Sequence, residues 1–520
     1  MSKRSSRPGR EAIKQARKDH KKAERDLRKK QESQGFEVPR SPTIANHKCP
    51  YKSVEEEAAM RLDSVSAQIK AYRAALPSLL KRLVKIKDPR TPKKSKHKLT
   101  VLMVYGILCF AFHMSSRREA TRVMTRPQFM ENLRLLFPEL ESLPHHDTLA
   151  RLLAKIDVSD LEKAHAEMIG HLIRNKKFRN YLIRGAYPIA IDGTQKFKRD
   201  ELWDSECLER KTRSEEKIHG TEGEPEQKRQ YYVYVLEANL AFHNGMVIPL
   251  LSEILTYTQG DSDKDKQDCE QRAYRRLAKR LKAFFPHLSI IVLLDGLYAN
   301  GPVMALCRQY KWDYMIVLKD DALASVWEEV RSLLPLQQAN HYHLKWGNRQ
   351  QRFEWVNDID YRYRCPLTGR ENKITIHVVI CTENWEEIAP GTTEVVVKNS
   401  RHVWISAQSI DARTMHERCN LGARHRWGIE AGILVEKHQG YEYEHCFSYD
   451  WNAMCGYHYL MRIGHALNVL ARYSHALTKY VYELGVRGLI DLVRSTIAAP
   501  WIAPDKLRPI AEGSCQLRLE

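Results

Sequence analysis

The sequence predicts an α/β protein in which an α-helical N-terminal region precedes a part built from strands and helices. Between residues 62 and 86, apolar residues recur at steps of three and four, which is the spacing of a helix face. From residue 187 onward, short runs rich in branched and aromatic residues alternate with turn-forming residues, which is typical of strands. Helical patterns recur between and after these runs, so the strand-rich part is mixed.

The first segments of the chain are polar and then helical. Residues 1–45 are basic and poor in large apolar groups, so we expect them to be disordered or loosely helical. Pro77 lies inside the helix face that follows and predicts a kink or two helices. That face could pack on another helix of its own domain or form a dimer seam. Its members are Leu62, Val65, Ile69, Tyr72, Leu76, Leu79, Leu83 and Ile86.

The remainder of the N-terminal region is predicted to be all-α. Residues 99–112 form an apolar run that indicates a buried helix. Ser115 and Ser116 are suited to begin the next helix, with Glu119 in its first turn. Asp147 is a candidate cap for a helix that carries the leucines of residues 149–153.

The strand-rich part contains one clear hairpin and two buried strands. Residues 231–242 and 246–251 are joined by His243-Asn244-Gly245, which predicts a tight turn. The two buried runs, residues 188–193 and 288–296, each end in Asp-Gly. Further strands are predicted at 314–318 and within 340–410, and helices at 266–285, 301–310, about 412–437 and 452–496, before an irregular C-terminus.

The charge of the chain indicates a polyanionic partner. Its 520 residues contain 84 Lys and Arg against 64 Asp and Glu, a net charge of +20. Residues 1–30 hold 13 basic against 4 acidic residues, and residues 81–98 hold 9 against 1. Such blocks attract nucleic acid through counterion release, and no apolar face accompanies them that would favour a membrane surface. The run at 99–112 is too short to span a bilayer. No secretory signal is evident, and the 11 scattered cysteines predict no disulfide framework, so we expect a cytoplasmic protein.

Three acidic residues form the candidate catalytic set. Asp192 and Asp295 end the two buried strands, and carboxylates at strand ends can converge at the rim of a sheet while their backbones stay buried. Glu430 lies in a helix far downstream. Three carboxylates suit Mg²⁺ or Mn²⁺, and two such ions can activate the attacking oxygen and stabilise the leaving oxygen of a phosphoryl transfer.

The helix that carries Glu430 also carries a basic stripe. Arg426 stands four residues before Glu430, and Lys437 stands seven residues after it, so the three side chains share one face. A solvated salt-bridge face is the ordinary explanation of this spacing. Ile429, Ile433 and Leu434 predict a packed side, which favours a stripe at the edge of the helix with two phosphate contacts beside one metal ligand.

These motifs resemble a known family. Arg426-x3-Glu430-x6-Lys437 is similar to the Arg-Glu-Lys part of the Tyr-Arg-Glu-Lys signature of insertion-sequence DDE transposases, with Ala423 in the place of the tyrosine. Asp192-Gly193 and Asp295-Gly296 resemble the sites of that family's first two catalytic aspartates. The sequence at residues 86–90 and 146–149 resembles the leader domain of H-repeat-associated transposases. Residues 441–448 resemble the sequence that follows the signature helix in the family.

The resemblance implies a ribonuclease H-like core with a β-rich insertion, preceded by an α-helical domain. It implies that Asp192, Asp295 and Glu430 bind two Mg²⁺ or Mn²⁺ ions and that Arg426 and Lys437 contact DNA. In family members, a tryptophan of the insertion can stack on a flipped base, and the candidates in this chain are Trp346, Trp355, Trp385 and Trp404, although core packing is the ordinary role of each. The segments are a basic tail (1–45), a helical DNA-binding and oligomerisation region (46–180), the first part of the core (181–325), the insertion (326–411), the C-terminal helices of the core (412–475) and a helical tail (476–520).

The function implied is that of a bacterial, nucleoid-associated DNA transposase. It would bind the inverted-repeat ends of its element, cleave a strand with metal-activated water and join the 3′ end to target double-stranded DNA. Pairing of two ends implies a homodimer or a DNA-induced oligomer. Two alternatives remain: another ribonuclease H-like nuclease, such as a resolvase, and a domesticated DNA-binding protein that no longer cleaves.

Overall fold

A computed structural model describes residues 8–40, 46, 48–213, 227–260, 268–365 and 369–519. The protein is a mixed α/β structure, about half helix, with a mixed sheet. None of the helices in these ranges combines the length and apolar character that a membrane span requires.

Helices predominate toward both ends of the chain, and strands predominate in its middle. The helices are α1 Arg10–Ser33, α2 Val54–Leu83, α3 Leu99–Ala111, α4 Arg117–Met124, α5 Pro127–Leu136, α6 His146–Leu153, α7 Ser159–Arg174, α8 Glu270–Phe284, α9 Gly301–Gln309, α10 Ala324–Leu333, α11 Trp427–His438, α12 Trp451–Arg472, α13 Thr478–Ile497 and α14 Pro504–Glu512. The strands are β1 Tyr187–Arg199, β2 Leu208–Arg213, β3 Gln227–Ala241, β4 Val247–Ile254, β5 Ile290–Leu294, β6 Asp313–Val317, β7 His341–Trp346, β8 Arg349–Arg364, β9 Glu371–Ile388 and β10 Val395–Ser406.

The chain divides into two compact units, each built from two separate stretches of sequence. The large unit comprises Thr43–Leu293 and Arg424–Glu520. The small unit comprises Met1–Pro42 and Leu294–Ala423. The basic N-terminal segment therefore belongs to the same unit as the strands predicted for the insertion, a grouping that the sequence did not predict.

The sheet of the large unit is built around β3. Strand β1 runs antiparallel to one edge of β3, and β4 and β2 pair with successive parts of the other edge. The predicted hairpin is confirmed: β3 returns as β4 through a turn in which Gly245 has a φ of +85°. Strand β5 runs parallel to β1 and pairs with its residues 187–190. The parallel β1–β5 pair beside antiparallel neighbours makes this sheet mixed.

Helix α2 buries its heptad face inside the large unit. The positions from Val65 to Leu83 in this face are almost fully buried, and the helix packs against α7 and α12. The structure therefore uses the face for intramolecular packing rather than leaving it free as a dimer seam. A single α-helix continues through Pro77, so of the two predicted alternatives the division into two helices is wrong, and a kink at this residue stays a prediction.

The helix starts of the N-terminal region were predicted in part. The Ser116 hydroxyl oxygen accepts a hydrogen bond from the backbone N–H of Glu119, and the Glu119 carboxylate accepts one from the backbone N–H of Ser115. These contacts confirm the predicted start of α4. The cap of α6 is His145, whose Nδ1 accepts from the N–H of Asp147. The prediction of Asp147 as the cap is wrong, because the helix begins one residue earlier and Asp147 lies in its first turn.

The small unit contains an antiparallel sheet in the order β6-β10-β9-β8-β7. Residues 10–33, expected to be disordered or loosely helical, form the continuous helix α1. Its side chains Leu27 and Gln31 are buried, and Gln31 donates to the backbone oxygen of Glu386 in β9. Docking on β9, which lies more than 300 residues downstream, stabilises a helix whose own sequence is too polar to indicate it.

The C-terminus is more ordered than the sequence indicated. Helix α14 occupies part of the stretch expected to be irregular, and it buries Leu507 and Ala511. It packs against α2 and α5 of the same unit. Two buried side chains in nine residues give too weak a periodic pattern to predict this helix from its sequence.

The close packing of α12 on α3 leads to a stability prediction. A Cβ atom at Gly464 of α12 would lie 3.0 Å from the backbone oxygen of Ile107 and 3.1 Å from the backbone nitrogen of Ala111. We expect Gly464→Ala to lower the free energy of unfolding by about 1–3 kcal/mol through overpacking, measured by urea denaturation. Gly170→Ala in α7 is the matched control, since its Cβ would meet mainly the flexible end of Arg174, and an equal loss there would contradict the packing argument.

Candidate active site

Helix α11 presents the predicted Arg-Glu-Lys stripe. The α-helix begins at Trp427, after a π-helical turn at His416–Gly422 and a 3₁₀ turn at Ala423–Arg426. The helical tract predicted for about 412–437 is therefore confirmed from His416 onward, although only its second half is α-helical. Ile429 and Ile433 are buried as predicted, whereas Leu434 is 54% exposed. The packed side of α11 is therefore narrower than the apolar pattern indicated.

Two glycines allow α11 to lie close to the sheet of the large unit. A Cβ atom at Gly428 or Gly432 would come within 3.1 Å of a methyl carbon of Val247 in β4. A larger residue at either position would push the helix away from β4. The glycines thus set the distance between the sheet that carries Asp192 and the helix that carries Glu430.

Arg426 joins the two acidic residues of the large unit. Its Nη2 donates to Glu430 Oε1 at 2.9 Å, and its Nη1 lies 3.7 Å from Asp192 Oδ2. The guanidinium is buried, while both carboxylates stay partly exposed. Two carboxylates this close to one cation form an anionic pocket whose mutual repulsion the arginine offsets. Residues separated by 238 positions in sequence are thus brought together by one positive charge.

We expected Asp192 to end its strand, but the strand continues beyond it. Strand β1 continues to Arg199 along β3, whereas its pairing with β5 stops at Ala190. Asp192 lies directly opposite Glu237 of β3, so both side chains lie on the same face of the sheet. The glycine after Asp192 is a packing requirement rather than a turn signal: a Cβ at Gly193 would lie 2.6–2.7 Å from Tyr234 and Glu270 on the opposite face.

Asp295 directly follows β5 and lies in the small unit. Its Oδ1 accepts a hydrogen bond from the backbone N–H of Leu297 at 3.0 Å, so it begins the short 3₁₀ turn Gly296–Tyr298. The aliphatic chain of Lys319 occupies the space where a Cβ of Gly296 would stand. Strand β5 ends directly before this residue, as the sequence predicted. Because Asp295 and Asp192 belong to different units, their convergence stays a prediction.

Lys437 contacts an acidic side chain rather than open solvent. Its Nζ lies 2.9 Å from Glu444 Oε1 and 6.0 Å from the centre of the Tyr443 ring, and the side chain is only 16% exposed. A solvated helix lysine would be far more exposed. The ammonium is therefore held beside a carboxylate rather than surrounded by water.

A buried charged cluster behind the site was missed by sequence reasoning. Arg462 of α12 contacts Glu436 of α11 and Glu237 of β3, and none of the three is more than 1% exposed. Nearby, burial lowers the pKa of Lys196 to about 8, and its Nζ donates to the backbone oxygen of Tyr443. The available signal was a charge inside an otherwise apolar segment, as in Leu236-Glu237-Ala238 and Met461-Arg462-Ile463.

The insertion tryptophans are placed differently from one another. Trp355 and Trp404 are 6% and 4% exposed and belong to the core of the small unit, so their flat faces are not accessible to a base. Trp346 and Trp385 are half-buried. The guanidinium of Arg349 lies 3.8 Å from the centre of the Trp385 ring, and the indole N–H donates to Glu387. Base stacking therefore stays a prediction for Trp346 and Trp385 alone.

A second group of possible metal-ligating side chains lies at the start of α6. One donor atom from each of His145, His146 and Asp147 falls within 4.8 Å of the others. The positive end of the helix dipole disfavours a cation there, and only one of the three donors is a carboxylate, the ligand type that Mg²⁺ prefers. The carboxylates beside Arg426 are the better candidate for a hard divalent ion.

Part of the helical N-terminal region is similar to a described family. A family model described as DDE_Tnp_1-associated matches residues 80–169, which include both leader motifs, 86–90 and 146–149. No curated protein matches the chain. The match identifies a region associated with DDE-family transposases and suggests a transposase-related function.

Proposed function

We propose that the chain is a DDE transposase that cleaves DNA at the ends of its element and joins the 3′ ends to target DNA. The observation that carries the proposal is the pairing of Asp192 and Glu430 on the guanidinium of Arg426. The sequence motifs predicted these three residues as part of a DNA-cleavage site. The large unit holds them within one ion-pair network. The transposase-associated region at residues 80–169 supports the same assignment.

The position of Asp295 in sequence supports its place as the third acid. Ala190 of β1 and Leu293 of β5 are direct partners in the parallel pair, and each stands two residues before an aspartate. Neighbouring parallel strands direct residues of equal register toward the same edge. The proposal therefore includes Asp192, Asp295 and Glu430 as the carboxylates of one site.

The donor set fits a hard divalent cation. Asp192 and Glu430 offer only carboxylate oxygens, both are partly exposed, and they already gather around the positive charge of Arg426. With Asp295 they would hold two Mg²⁺ or Mn²⁺ ions, which supply a metal-activated nucleophile and charge stabilisation at the phosphate. Arg426 orients Glu430 through their hydrogen bond. Lys437 would leave Glu444 and pair with a phosphate beside the scissile bond.

The charge distribution favours double-stranded DNA as the partner. The small unit carries the basic helix α1, whose lysines and arginines are mostly exposed, while Leu27 and Gln31 hold the helix to its unit. Such a helix suits contact with phosphates rather than with base edges. Pairing of two element ends requires a homodimer or a DNA-induced oligomer, and we place the protein in the cytoplasm with the nucleoid.

The function is tested by incubating the purified protein with linear DNA that carries the inverted repeats flanking its gene, a target plasmid, and Mg²⁺ or Mn²⁺. A transposase joins the 3′ ends to the plasmid. Cleavage of branched DNA without joining would indicate a resolvase-like nuclease instead. Binding of the ends without cleavage would indicate a protein that no longer cleaves.

Replacing Asp295 with Asn should reduce cleavage to background and leave DNA binding equal or tighter. The amide keeps the size of the side chain but loses the charge that holds the cation, and removing a negative charge lessens repulsion of phosphate. Cleavage and filter-binding assays measure the two effects. Asp321→Asn, at an exposed residue of the same unit, is the control for the charge change. Metal-dependent nicking by Asp295→Asn would remove this residue from the site.

Replacing Lys437 with Ala should weaken binding of DNA ends and lower the salt slope of binding by about one unit, because one fewer counterion is released. The change should also slow cleavage, and Arg426→Ala should act in the same direction and less than additively with it. Lys279→Ala is the matched control, since Lys279 is an exposed lysine of α8, which packs on the sheet face opposite Asp192. An unchanged slope and rate for Lys437→Ala would show that it has no contact with DNA.

A further inference from the structure

The cluster around Arg462 is the most deeply buried group of charges in the large unit among the described residues. Arg462 Nη1 donates to both oxygens of Glu436, at 3.0 and 3.1 Å, and Nη2 donates to Asn239 Oδ1 at 2.5 Å. The same Nη2 lies 3.1 Å from Glu237 Oε2. One guanidinium thus contacts acceptors on two other elements, β3 and α11.

Further polar groups saturate the two carboxylates. His465 Nδ1 lies 2.7 Å from Glu436 Oε1, and the Tyr443 hydroxyl donates to Glu237 Oε1 at 2.9 Å. Ser252 donates to the other oxygen of Glu237 at 2.5 Å. Each carboxylate is therefore oriented by at least two groups, so neither can turn without breaking another contact.

The pKa values of the two carboxylates are shifted in opposite directions. Burial alone would raise the pKa of Glu436, but Arg462 and His465 bring it below its usual value. Burial raises the pKa of Glu237 despite the neighbouring Arg462. Arg462 and Glu436 thus form the principal ion pair, which links α12 to α11. Glu237 adds a hydrogen-bonding connection to the sheet.

Both ends of the cluster connect to residues of the candidate site. Glu237 is the direct cross-strand partner of Asp192, on the same face of the sheet. Glu436 stands in α11 between Glu430 and Lys437 and directly precedes Lys437. The contacts of Arg462 therefore determine where the backbone of β3 lies relative to the backbone of α11. Glu430 is carried by α11 itself, and Asp192 is carried by β1, which pairs with β3 at Glu237.

We infer that Arg462 is a positioning residue, which sets the separation of Asp192 and Glu430 without contacting DNA or metal. The inference rests on the proposed function for its catalytic consequence. Its physical basis is separate: buried ion pairs are costly to desolvate, and well-packed neutral residues of similar volume often stabilise a fold equally well. A stable fold does not by itself require this cluster. A fixed distance between β1 and α11 does require it.

The experiment separates positioning from stability. A neutral triple variant, Arg462→Met with Glu237→Gln and Glu436→Gln, removes every charge of the triad at once, so that no member of the triad is left as an unpaired charge. The matched control repeats the operation at Arg280 of α8, with Arg280→Met, Glu162→Gln and Glu253→Gln. Arg280 contacts Glu162 at 2.9 Å and also pairs with Glu253, but none of the three lies on β1, β3 or α11.

Three readouts are compared: thermal unfolding, steady-state cleavage of end DNA, and a distance between two spin labels. The labels are attached to ketone-bearing amino acids that replace the exposed residues Lys198 and Leu434. We expect the Arg462 triple variant to unfold near the wild-type temperature and to lose about 10- to 100-fold in kcat, as when supporting residues around a metal site are removed. Its KM for DNA should stay within about two-fold, because binding contacts are untouched. The label distance should shift or broaden, and the Arg280 control should change neither kcat nor this distance.

A stable Arg462 triple variant with wild-type kcat and an unchanged label distance overturns the inference. If the triple variant does not fold, Arg462→Lys replaces it, since lysine keeps the charge but cannot hold all three acceptors. The same fall in kcat with unchanged KM is then expected, and a wild-type kcat contradicts the inference. If the wild-type protein does not cleave DNA, the proposed function fails, and the label distance alone decides whether Arg462 sets the spacing.

Discussion

The placement of α11 on the sheet of the large unit depends on the pairing of buried charges across elements that are distant in sequence. Arg462 holds Glu436 of α11 and contacts Glu237 of β3, and no part of this triad is accessible to water. Charges in such an environment are stable only when each has a partner, so the three elements cannot move apart independently. The position of α11 on the sheet follows from this constraint and from the glycines that allow its close approach.

A second cation acts at the exposed side of the same helix. Arg426 lies between Asp192 and Glu430, which are partly exposed, whereas Arg462 lies between two carboxylates that are fully enclosed. The difference in exposure distinguishes a cluster that solvent can reach from one that it cannot. Lys437 beside Glu444 continues this polar edge.

The mixed α/β class could be predicted because its main signals are local, whereas the ribonuclease H-like core stays a prediction. The 231–251 hairpin and the helix at 99–112 depend on periodicity and turn residues within a few positions, and both are confirmed. Helix α1 could not be predicted as an ordered element, since its stability comes from docking on β9. Asp192 and Glu430 could be selected by residue type and motif spacing, although the strand around Asp192 extends further than its glycine indicated. The Arg462 cluster could not be predicted from the sequence, because each member stands alone in an apolar segment. Only the folded chain brings them together.

The central claim, that Asp192, Asp295 and Glu430 hold the same metal ions, can be tested without any DNA substrate. Fe²⁺ bound in place of Mg²⁺ generates hydroxyl radicals with ascorbate and peroxide, and these cut the polypeptide near the ion. The account predicts cuts near residues 192, 295 and 430 together, suppressed by excess Mg²⁺ and lost in Asp192→Asn. Cuts near only one or two of the three positions, or only near His145, would contradict it.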